Sequence, residues 1–281
     1  MSIPLVYITD DGYVLPTAVS ITSAALNKAP DTVYDIYVIG YQLSNGLDEA
    51  FTLLNAPGVR IHFLAYQTDQ ALENITSDAY VTSTALLKFK IPDLLPELNK
   101  VIYIDGDTLV QKDLTALYET PLAGKAVGAV KDHACIELFH DNMNLPTYFN
   151  SGVLLMDLAV WRRQNLGAQM MTYKQTHDGL HYMDQDVFNL VLEDAYQKLP
   201  VIYNAMMPNF RGYAVPMPDL NAFYGTDFTD YADILNKAAI IHITNTYKPW
   251  LYKDVYLSDM WLAYLKQSPF RDIQLSLRSP K

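Results

Sequence analysis

Val101-Ile102-Tyr103-Ile104-Asp105-Gly106-Asp107 is an apolar, strand-forming run that ends in two aspartates separated by one glycine. Side chains two positions apart in an extended segment point to the same face, so Asp105 and Asp107 can bind one hard cation together. Gly106 allows the backbone to turn tightly between them. Asp-x-Asp is also common by chance, and a solvated turn is the alternative. The apolar context favours a divalent-metal site at the end of a buried strand, where it would neutralise a diphosphate.

Apolar runs of similar length occur on both sides of this stretch. Candidate strands lie at residues 5–8, 35–39, 59–63, 126–130, 152–156 and 238–243, and helical patterns at 18–26 and 47–54. This alternation predicts an α/β fold with a mostly parallel, Rossmann-like sheet flanked by helices. Ligands of such sheets bind beyond the C-terminal ends of the strands. Without linkers or repeats, the chain is expected to form a single domain. Apolar residues in the segment 206–230 do not recur with a helical or strand period, which predicts a long ordered loop over the cleft.

The composition excludes several classes of protein. The chain has 281 residues, 50% of them apolar, and a net charge of -11. The negative charge disfavours nucleic acid and anionic membranes as general partners. A single cysteine, Cys135, excludes an intrachain disulfide framework. No basic segment followed by an apolar one opens the sequence, and no run is long enough to span a bilayer, so we expect a cytoplasmic protein.

A histidine near the C-terminal end offers a third metal ligand. His242 follows roughly 135 residues after Asp107, within another apolar run. Two carboxylates and one imidazole suit Mn²⁺ or Mg²⁺ better than Zn²⁺, and the nitrogen ligand favours Mn²⁺ over Mg²⁺. The alternative is a buried histidine bonded to backbone. Lys248 would supply a positive charge for phosphate, or is an ordinary surface lysine.

Three further polar groups have two interpretations each. Asn150-Ser151-Gly152 either presents an amide and, at Gly152, a closely approaching backbone to a ligand, or forms a turn before a strand. Asp184-Gln185-Asp186 opens a helical pattern, and its acids alone are best explained as helix capping. Asp132, at another strand end, is equally ambiguous.

Known phosphate-binding motifs separate the remaining enzyme classes. Neither Gly-x-Gly-x-x-Gly nor Gly-x4-Gly-Lys-[Ser/Thr] occurs, which disfavours dehydrogenases and P-loop enzymes. Ile104-Asp105-Gly106-Asp107-Thr108 resembles the nucleophile motif of haloacid-dehalogenase phosphatases, with Asp105 as nucleophile. About 100 residues of α/β pattern precede it, however, whereas that motif normally lies on the first strand of its domain.

Taken together, six blocks resemble glycosyltransferase family 8, the retaining GT-A-fold enzymes that include bacterial lipopolysaccharide galactosyl- and glucosyltransferases and glycogenin. The blocks occur in the family's order over nearly the whole chain. They are Tyr7-Ile8-Thr9-Asp10-Asp11-Gly12-Tyr13, residues 88–96, residues 101–110, Tyr148-Phe149-Asn150-Ser151-Gly152-Val153-Leu154-Leu155, Met183-Asp184-Gln185-Asp186 and residues 242–250.

The resemblance implies a role for each of these blocks. The implied metal ligands are Asp105, Asp107 and His242. The implied donor-binding residues are Ile8, Asp10 and Tyr13 around the uridine, Asn245 and Lys248 at the diphosphate, Asp132 and Asn150 at the hexose, and Lys88, Asp105 and Gly106. The implied catalytic candidates are Asp184 and Gln185, which also lie around the hexose. Lys88 replaces an arginine that is usual in the family, so the bidentate fork is lost while the charge is kept.

The activity implied by the resemblance is Mn²⁺-dependent, with Mg²⁺ as the alternative ion. A retaining enzyme would transfer glucose or galactose from a UDP-sugar to a glycan, glycolipid or glycoprotein acceptor, as in bacterial cell-surface glycan biosynthesis. Residues 1–105 would form the nucleotide-binding half, 106–250 the donor and acceptor half, and 251–281 a C-terminal helical tail. Some members attach peripherally to the inner face of the membrane through a basic aromatic tail, which is not evident here. A non-catalytic nucleotide-sugar binding module is the competing interpretation.

Overall fold

A seven-stranded sheet organises the fold in the computed structural model, which describes residues 2–44, 46–67, 83–137, 145, 147–180, 182–206, 215–244 and 246–280. Its strands are β1 (Ser2–Thr9), β2 (Val33–Tyr41), β3 (Val59–Tyr66), β4 (Lys100–Ile104), β6 (Val127–Lys131), β7 (Phe149–Asp157) and β8 (Gln197–Lys198). A smaller two-stranded sheet contains β5 (Thr108–Val110) and β9 (Ile240–His242).

The strand order in the large sheet is β3-β2-β1-β4-β7-β6-β8. The pairs β3–β2, β2–β1, β1–β4 and β6–β8 are parallel, and β7 runs antiparallel to both β4 and β6. This arrangement confirms the predicted single-domain α/β fold with a mostly parallel sheet. The C-terminal ends of β1 and β4 meet at one edge, beside the N-terminal part of β7.

Helices cover both faces of the large sheet. They are α1 (Val14–Asn27), α2 (Leu47–Thr52), α3 (Ile91–Leu94), α4 (Thr115–Glu119), α5 (His133–Glu137), α6 (Leu158–Gln164), α7 (Leu166–Thr176), α8 (Met183–Leu192), α9 (Met217–Tyr224), α10 (Tyr231–Lys237) and α11 (Ser258–Gln267). Two short 3-10 helices span Ser83–Lys90 and Val201–Tyr203. None of the helices in the described ranges combines the length and apolar character needed to cross a bilayer.

The large sheet separates two hydrophobic cores. Leu5 and Tyr7 of β1 lie in one core, and Val6 and Ile8 lie in the other. The same alternation holds in β4, because successive side chains of a strand point to opposite faces. These strands are therefore buried on both sides, which explains their continuous apolar sequences.

Helix α1 holds the small sheet against the large one through small polar side chains. Ser20 Oγ lies 2.7 Å from Thr108 Oγ1, and Ser23 Oγ accepts a hydrogen bond from Val110 N at 2.8 Å. A Cβ added to Gly106 would lie 2.3 Å from Thr17 Oγ1. Gly106 does not adopt a positive φ. The glycine is therefore required by the close approach of α1, and not by the tight turn that the sequence suggested.

The prediction of a long loop over residues 206–230 is wrong in part. Residues 217–224 form helix α9 instead of a continuous loop, with Pro218 near its start and Gly225 ending it in the left-handed conformation. Residues 207–214 lie outside the described residues. Phe223 of α9 packs edge-to-face on the His133 ring at 4.8 Å, just beyond β6. Neither residue lines the cavity described below.

Candidate active site

A cavity of about 380 Å³ opens where the C-terminal ends of β1 and β4 meet. Its wall is formed by the end of β1, the turn after β4, the start of α8 and the segment after β9. This is the edge at which the sequence predicted a ligand crevice. Of the described residues that the resemblance assigned to a site, all except Asp132 line this cavity.

Asp105, Asp107 and His242 converge on one side of the cavity. His242 Nε2 lies 3.1 Å from Asp107 Oδ1 and 3.8 Å from Asp105 Oδ2, and one ligand atom from each residue falls within 4.8 Å of the others. The pairing of β5 with β9 brings them together, since Thr108 is the register partner of His242. Two oxygens and one nitrogen in this arrangement fit a divalent ion with mixed ligands.

Lys248 neutralises part of the charge on this side of the cavity. Its Nζ lies 2.7 Å from Asp107 Oδ2 and also donates to the carbonyl oxygen of Ile243. Burial alone would raise the pKa of Asp107, but opposing interactions, led by the positive charge of Lys248, outweigh burial and hold the pKa well below its usual range. Asp107 is therefore an anion, ready to bind a cation, at any ordinary pH.

A second buried lysine lies deeper in the cavity. Lys88 Nζ is 2.8 Å from Asp184 Oδ2 and 3.3 Å from Asp105 Oδ1, and the side chain is nearly inaccessible to solvent. Burial by itself would lower the pKa of Lys88, but the two carboxylates raise it above its ordinary value. The ammonium therefore stays charged and connects Asp105 with Asp184.

Tyr103 orients the first aspartate from the preceding strand. Its hydroxyl donates to Asp105 Oδ1 at 2.5 Å, and its ring lies below Lys88 Nζ at 5.0 Å. Burial, followed by the charge of Asp105, raises the pKa of Tyr103 well above its ordinary value, so the hydroxyl keeps its proton. Because Oδ1 is engaged by Tyr103 and Lys88, Asp105 Oδ2 is the oxygen on the side of His242.

Gly152 of β7 leaves room for two of the three converging residues. A Cβ at this position would lie 2.1 Å from His242 Cε1 and 2.7 Å from Asp105 Oδ2. The backbone of Gly152 also accepts a hydrogen bond from Asp105 N at 2.7 Å. The sequence suggested that this glycine lets the backbone approach a ligand, whereas the structure brings it against the side chains that would hold one.

The first turn of α8 separates the three polar residues of its motif. Asp186 accepts hydrogen bonds from Tyr182 N at 2.8 Å and from Tyr148 Oη at 2.5 Å. Asp184 and Gln185 instead line the cavity. The structural interpretation of this motif therefore holds for Asp186. The helix begins at Met183 with a φ of 37°, a rare conformation for a residue with a side chain.

Asn150 and Gln185 form a polar wall beside Asp184. Gln185 Oε1 accepts hydrogen bonds from Asn150 Nδ2 at 2.9 Å and from Ser151 N at 3.1 Å. Asp132 lies behind this wall, with only 1% of its surface exposed, and its Oδ2 is 3.3 Å from Asn150 Nδ2. Asp132 therefore supports the wall from the side away from the cavity.

The end of β1 and the loop that follows form the opposite end of the cavity, where Ile8, Asp10 and Tyr13 are all on the wall. Asp10 Oδ1 accepts a hydrogen bond from Gly12 N at 3.1 Å, and Oδ2 accepts one from Thr84 Oγ1 at 3.0 Å. The side chain of Asp10 thus fixes its own loop.

Asn245 lies outside the described residues, so its predicted contact with a diphosphate stays a prediction. Sequence reasoning gave no role to Tyr103, Ser151 and Asn204, which all contact site residues. The position of Tyr103, two residues before Asp105 on one strand, could have identified it. No local pattern distinguishes Asn204.

Comparisons with known proteins agree with this geometry. The family model described as glycosyl transferase family 8 matches residues 4–254. General stress protein A of Bacillus subtilis (strain 168) is 28% identical over 278 residues, covering 93% of this chain and 93% of that protein. The lipopolysaccharide 1,2-glucosyltransferase of Escherichia coli (strain K12) is 26% identical over 275 residues, covering 95% of this chain and 78% of that protein.

A solved structure shares the fold over nearly the same length. The galactosyltransferase LgtC, crystallised with donor and acceptor sugar analogues, superposes with a TM-score of 0.76 at 23% identity, covering 95% of this chain and 96% of that one. This likeness confirms the GT-A-type fold. Together with the family model, which spans most of the sequence, it establishes that the chain is a glycosyltransferase and belongs to glycosyltransferase family 8.

Proposed function

We propose that the protein is a Mn²⁺-dependent retaining glycosyltransferase that transfers glucose or galactose from a UDP-sugar to a glycan, glycolipid or glycoprotein acceptor. The observation that carries this proposal is the convergence of Asp105, Asp107 and His242 on one wall of a cavity that also contains two buried lysines. A pocket that combines a cation site with fixed positive charges suits a diphosphate leaving group.

Asp105, Asp107 and His242 would hold the ion, and their mixed donor set favours Mn²⁺, with Mg²⁺ as the alternative. The chemistry that a bound divalent ion supplies here is stabilisation of the negative charge that develops on the departing UDP. Lys248 adds a protein charge to the same task. Its ammonium reaches Asp107 from the segment after β9, beside the cavity in which the diphosphate would lie.

The hexose would lie against Asp184, Gln185 and Asn150. Asp184 Oδ2 already accepts hydrogen bonds from Lys88 Nζ and from Ser151 Oγ, each at 2.8 Å. Asp184 Oδ1 is then the oxygen that accepts a sugar hydroxyl. We therefore propose Asp184 and Gln185 as the catalytic residues, in the sense that they hold the hexose while its bond to UDP breaks.

The hydrogen bonds of Gln185 favour same-face attack of the acceptor over double displacement. A carbonyl oxygen has two lone pairs, and both of those on Gln185 Oε1 are engaged, by Asn150 Nδ2 and Ser151 N. An attack by this oxygen on the anomeric carbon would first have to break one of these bonds. In same-face attack the departing UDP phosphate itself takes the acceptor proton, so no protein nucleophile is required.

The relatives support the choice of donor and acceptor. One is a lipopolysaccharide glucosyltransferase, and the structural neighbour is a galactosyltransferase crystallised with donor and acceptor sugar analogues. We propose that residues 1–105 mainly bind the nucleotide, because Ile8, Asp10 and Tyr13 form one end of the cavity. Residues 106–250 would then provide most contacts to the hexose and the acceptor.

Calorimetric titration of UDP, UDP-glucose and UDP-galactose, with and without Mn²⁺, tests the proposal. We expect UDP to bind only with Mn²⁺, and the better-bound UDP-sugar identifies the donor. Asp107→Ala should lose both binding and turnover, whereas Asp272→Ala, at a side chain that is 95% exposed, should lose neither. Metal-independent UDP binding, or full turnover by Asp107→Ala, would refute the metal assignment. Phosphorylation of Asp105 by a phosphate ester would instead establish the phosphatase alternative.

A further inference from the structure

A buried asparagine connects the proposed metal site to the proposed sugar site. Asn204 follows the second 3-10 helix and is fully inaccessible to solvent. Its Oδ1 lies 3.0 Å from His242 Nδ1, and its Nδ2 donates to Asn150 Oδ1 at 2.9 Å. Asn204 belongs to none of the sequence motifs and does not itself line the cavity.

The orientation of the Asn204 amide follows from a backbone donor. Gly152 N can only donate, and it lies 2.9 Å from Asn150 Oδ1, which fixes that atom as the carbonyl oxygen. The partner that approaches Asn150 Oδ1 at 2.9 Å must also be a donor, so it is Asn204 Nδ2. The remaining atom, Asn204 Oδ1, then accepts from the imidazole.

The same reasoning fixes the tautomer of His242. Because Asn204 Oδ1 can only accept, His242 Nδ1 carries a hydrogen. In the neutral ring, Nε2 then has a free lone pair, and this atom is the one that lies 3.1 Å from Asp107 Oδ1 and 3.8 Å from Asp105 Oδ2. In this tautomer the Nε2 lone pair is directed toward the space between the imidazole and the two carboxylates, where a cation would bind.

Main-chain hydrogen bonds hold Asn204 in register with His242. Ala205 N donates to Ile240 O at 2.9 Å, and His242 N donates to Ala205 O at 3.2 Å. The 3-10 helix ends with Asn204 N bonded to Val201 O at 3.0 Å. The backbone of Asn204 is thus fixed to the strand that carries the histidine, and its side chain starts from a defined position beside the imidazole.

We propose that Asn204 is a positioning residue that keeps His242 in the Nδ1–H tautomer, with Nε2 directed at the cation site. The inference deepens the proposed function and rests on it for the presence of a cation. Outer partners of metal-binding histidines orient the ring and raise its basicity, and their loss typically costs about 10–100-fold in metal affinity. Through its hydrogen bond to Asn150, Asn204 also supports the polar wall against which the hexose would lie.

Two variants separate the contact with His242 from general packing. Asn204→Leu has a similar volume and removes both hydrogen bonds. Asn204→Asp keeps an acceptor for His242 Nδ1 and gives up the donor to Asn150. We expect Asn204→Leu to weaken Mn²⁺ binding, measured by calorimetry without nucleotide, by about 10–100-fold. Asn204→Asp should retain affinity within a few-fold of the unmodified chain, and circular dichroism verifies the fold of each variant.

The tautomer is measured directly by long-range ¹H–¹⁵N correlation spectra of ¹⁵N-histidine-labelled, metal-free full-length protein, at a pH where the ring is neutral. The chain has 6 histidines, and His242→Gln identifies the signal. We expect protonated Nδ1 in the unmodified chain and in Asn204→Asp, and a mixture of tautomers in Asn204→Leu. Protonated Nε2 in the unmodified chain overturns the inference even if both variants fail to fold.

The two proposals fail in different ways. If the unmodified chain does not bind Mn²⁺, the metal-dependent function is wrong, while the tautomer spectrum still tests the role of Asn204. If the unmodified chain binds Mn²⁺ and Asn204→Leu binds it equally well with an unchanged tautomer, only the role of Asn204 is wrong.

Discussion

The substitution Gly152→Ala should disable the cation site by adding a single methyl group. Gly152 lies on β7, an interior strand of the large sheet, and its Cα faces the imidazole of His242. The new Cβ would lie 2.1 Å from His242 Cε1 and 2.7 Å from Asp105 Oδ2.

The size of the required displacement follows from these distances. Non-bonded carbons rest at about 3.5–4.0 Å, so the imidazole would have to withdraw by about 1.4 Å or more from a Cβ that is 2.1 Å away. Metal–ligand distances tolerate only about 0.2 Å. His242 cannot simply rotate away, because Asn204 Oδ1 holds its Nδ1 at 3.0 Å. The overpacking should also cost about 1–3 kcal/mol of unfolding free energy.

Calorimetric Mn²⁺ titration and urea unfolding measure the two effects. Gly128→Ala is the matched control, since Gly128 lies on the neighbouring strand and its added Cβ would meet only side-chain carbons, Leu122 Cδ2 at 3.0 Å and two carbons of Leu199 at 3.3 and 3.4 Å. These leucine side chains can shift by a few tenths of an ångström. We expect the control to bind Mn²⁺ normally and Gly152→Ala to show no saturable binding.

Normal Mn²⁺ affinity in folded Gly152→Ala would contradict the reasoning. It would mean that the imidazole of His242 can leave its position without loss of the ion. His242 would then be a buried strand histidine, the alternative that its sequence context left open.

Further predictions concern charge, pH and metal removal. Lys88→Met should lower the free energy of unfolding by about 3–5 kcal/mol, measured with urea, because it leaves the carboxylates of Asp105 and Asp184 without their ammonium partner. Lys88→Arg keeps the positive charge and should lose much less stability. Equal stability of both variants and the unmodified chain would contradict this prediction. Burial opposes ionisation of Asp113, but hydrogen bonds from Thr115 and Ala29 outweigh it and lower the pKa to about 2. Because the pKa of Asp113 is lower in the folded than in the unfolded chain, ionised Asp113 stabilises the fold fully above about pH 4, and this stabilisation is lost as the pH falls toward 2. Asp113→Asn should therefore flatten that part of an acid-unfolding curve. Tyr103→Phe removes only the hydroxyl bonded to Asp105 and should weaken Mn²⁺ binding about tenfold without a change in fold, as measured by calorimetry. Incubation with EDTA followed by dialysis should abolish UDP binding, and added Mn²⁺ should restore it; persistent binding would show that the lysines suffice.

Local sequence patterns were sufficient for six of the seven strands of the large sheet, all except β8, and for the first two proposed ligands. An apolar run that ends in Asp-x-Asp shows a buried strand and two carboxylates without reference to the rest of the chain. The six family motifs identified the family, which the match over residues 4–254 confirms. Each of these signals depends on residues only a few positions apart, where covalent geometry alone sets their relative direction.

Other features could not be predicted because they depend on contacts between distant segments. Pro, Asn and aromatic residues obscured the helical pattern of residues 217–224, although Gly225 ends the helix in the left-handed conformation that is common at helix C-termini. Asp132 follows a strand as the other site residues do, yet the bend of the chain into α5 leaves it behind Gln185. Its proposed contact with the hexose stays a prediction.

The fold class, the family and the residue types that can hold a cation all follow from the amino-acid sequence alone. Tertiary structure alone paired β5 with β9 and so brought His242 to Asp107, directed Lys88 between two carboxylates, and set Asn204 behind the imidazole. The difference lies in the separation along the sequence: strand periodicity and motif spacing involve residues only a few positions apart. The direction of a ligand's lone pair depends on hydrogen bonds from residues that meet only when the sheet has formed.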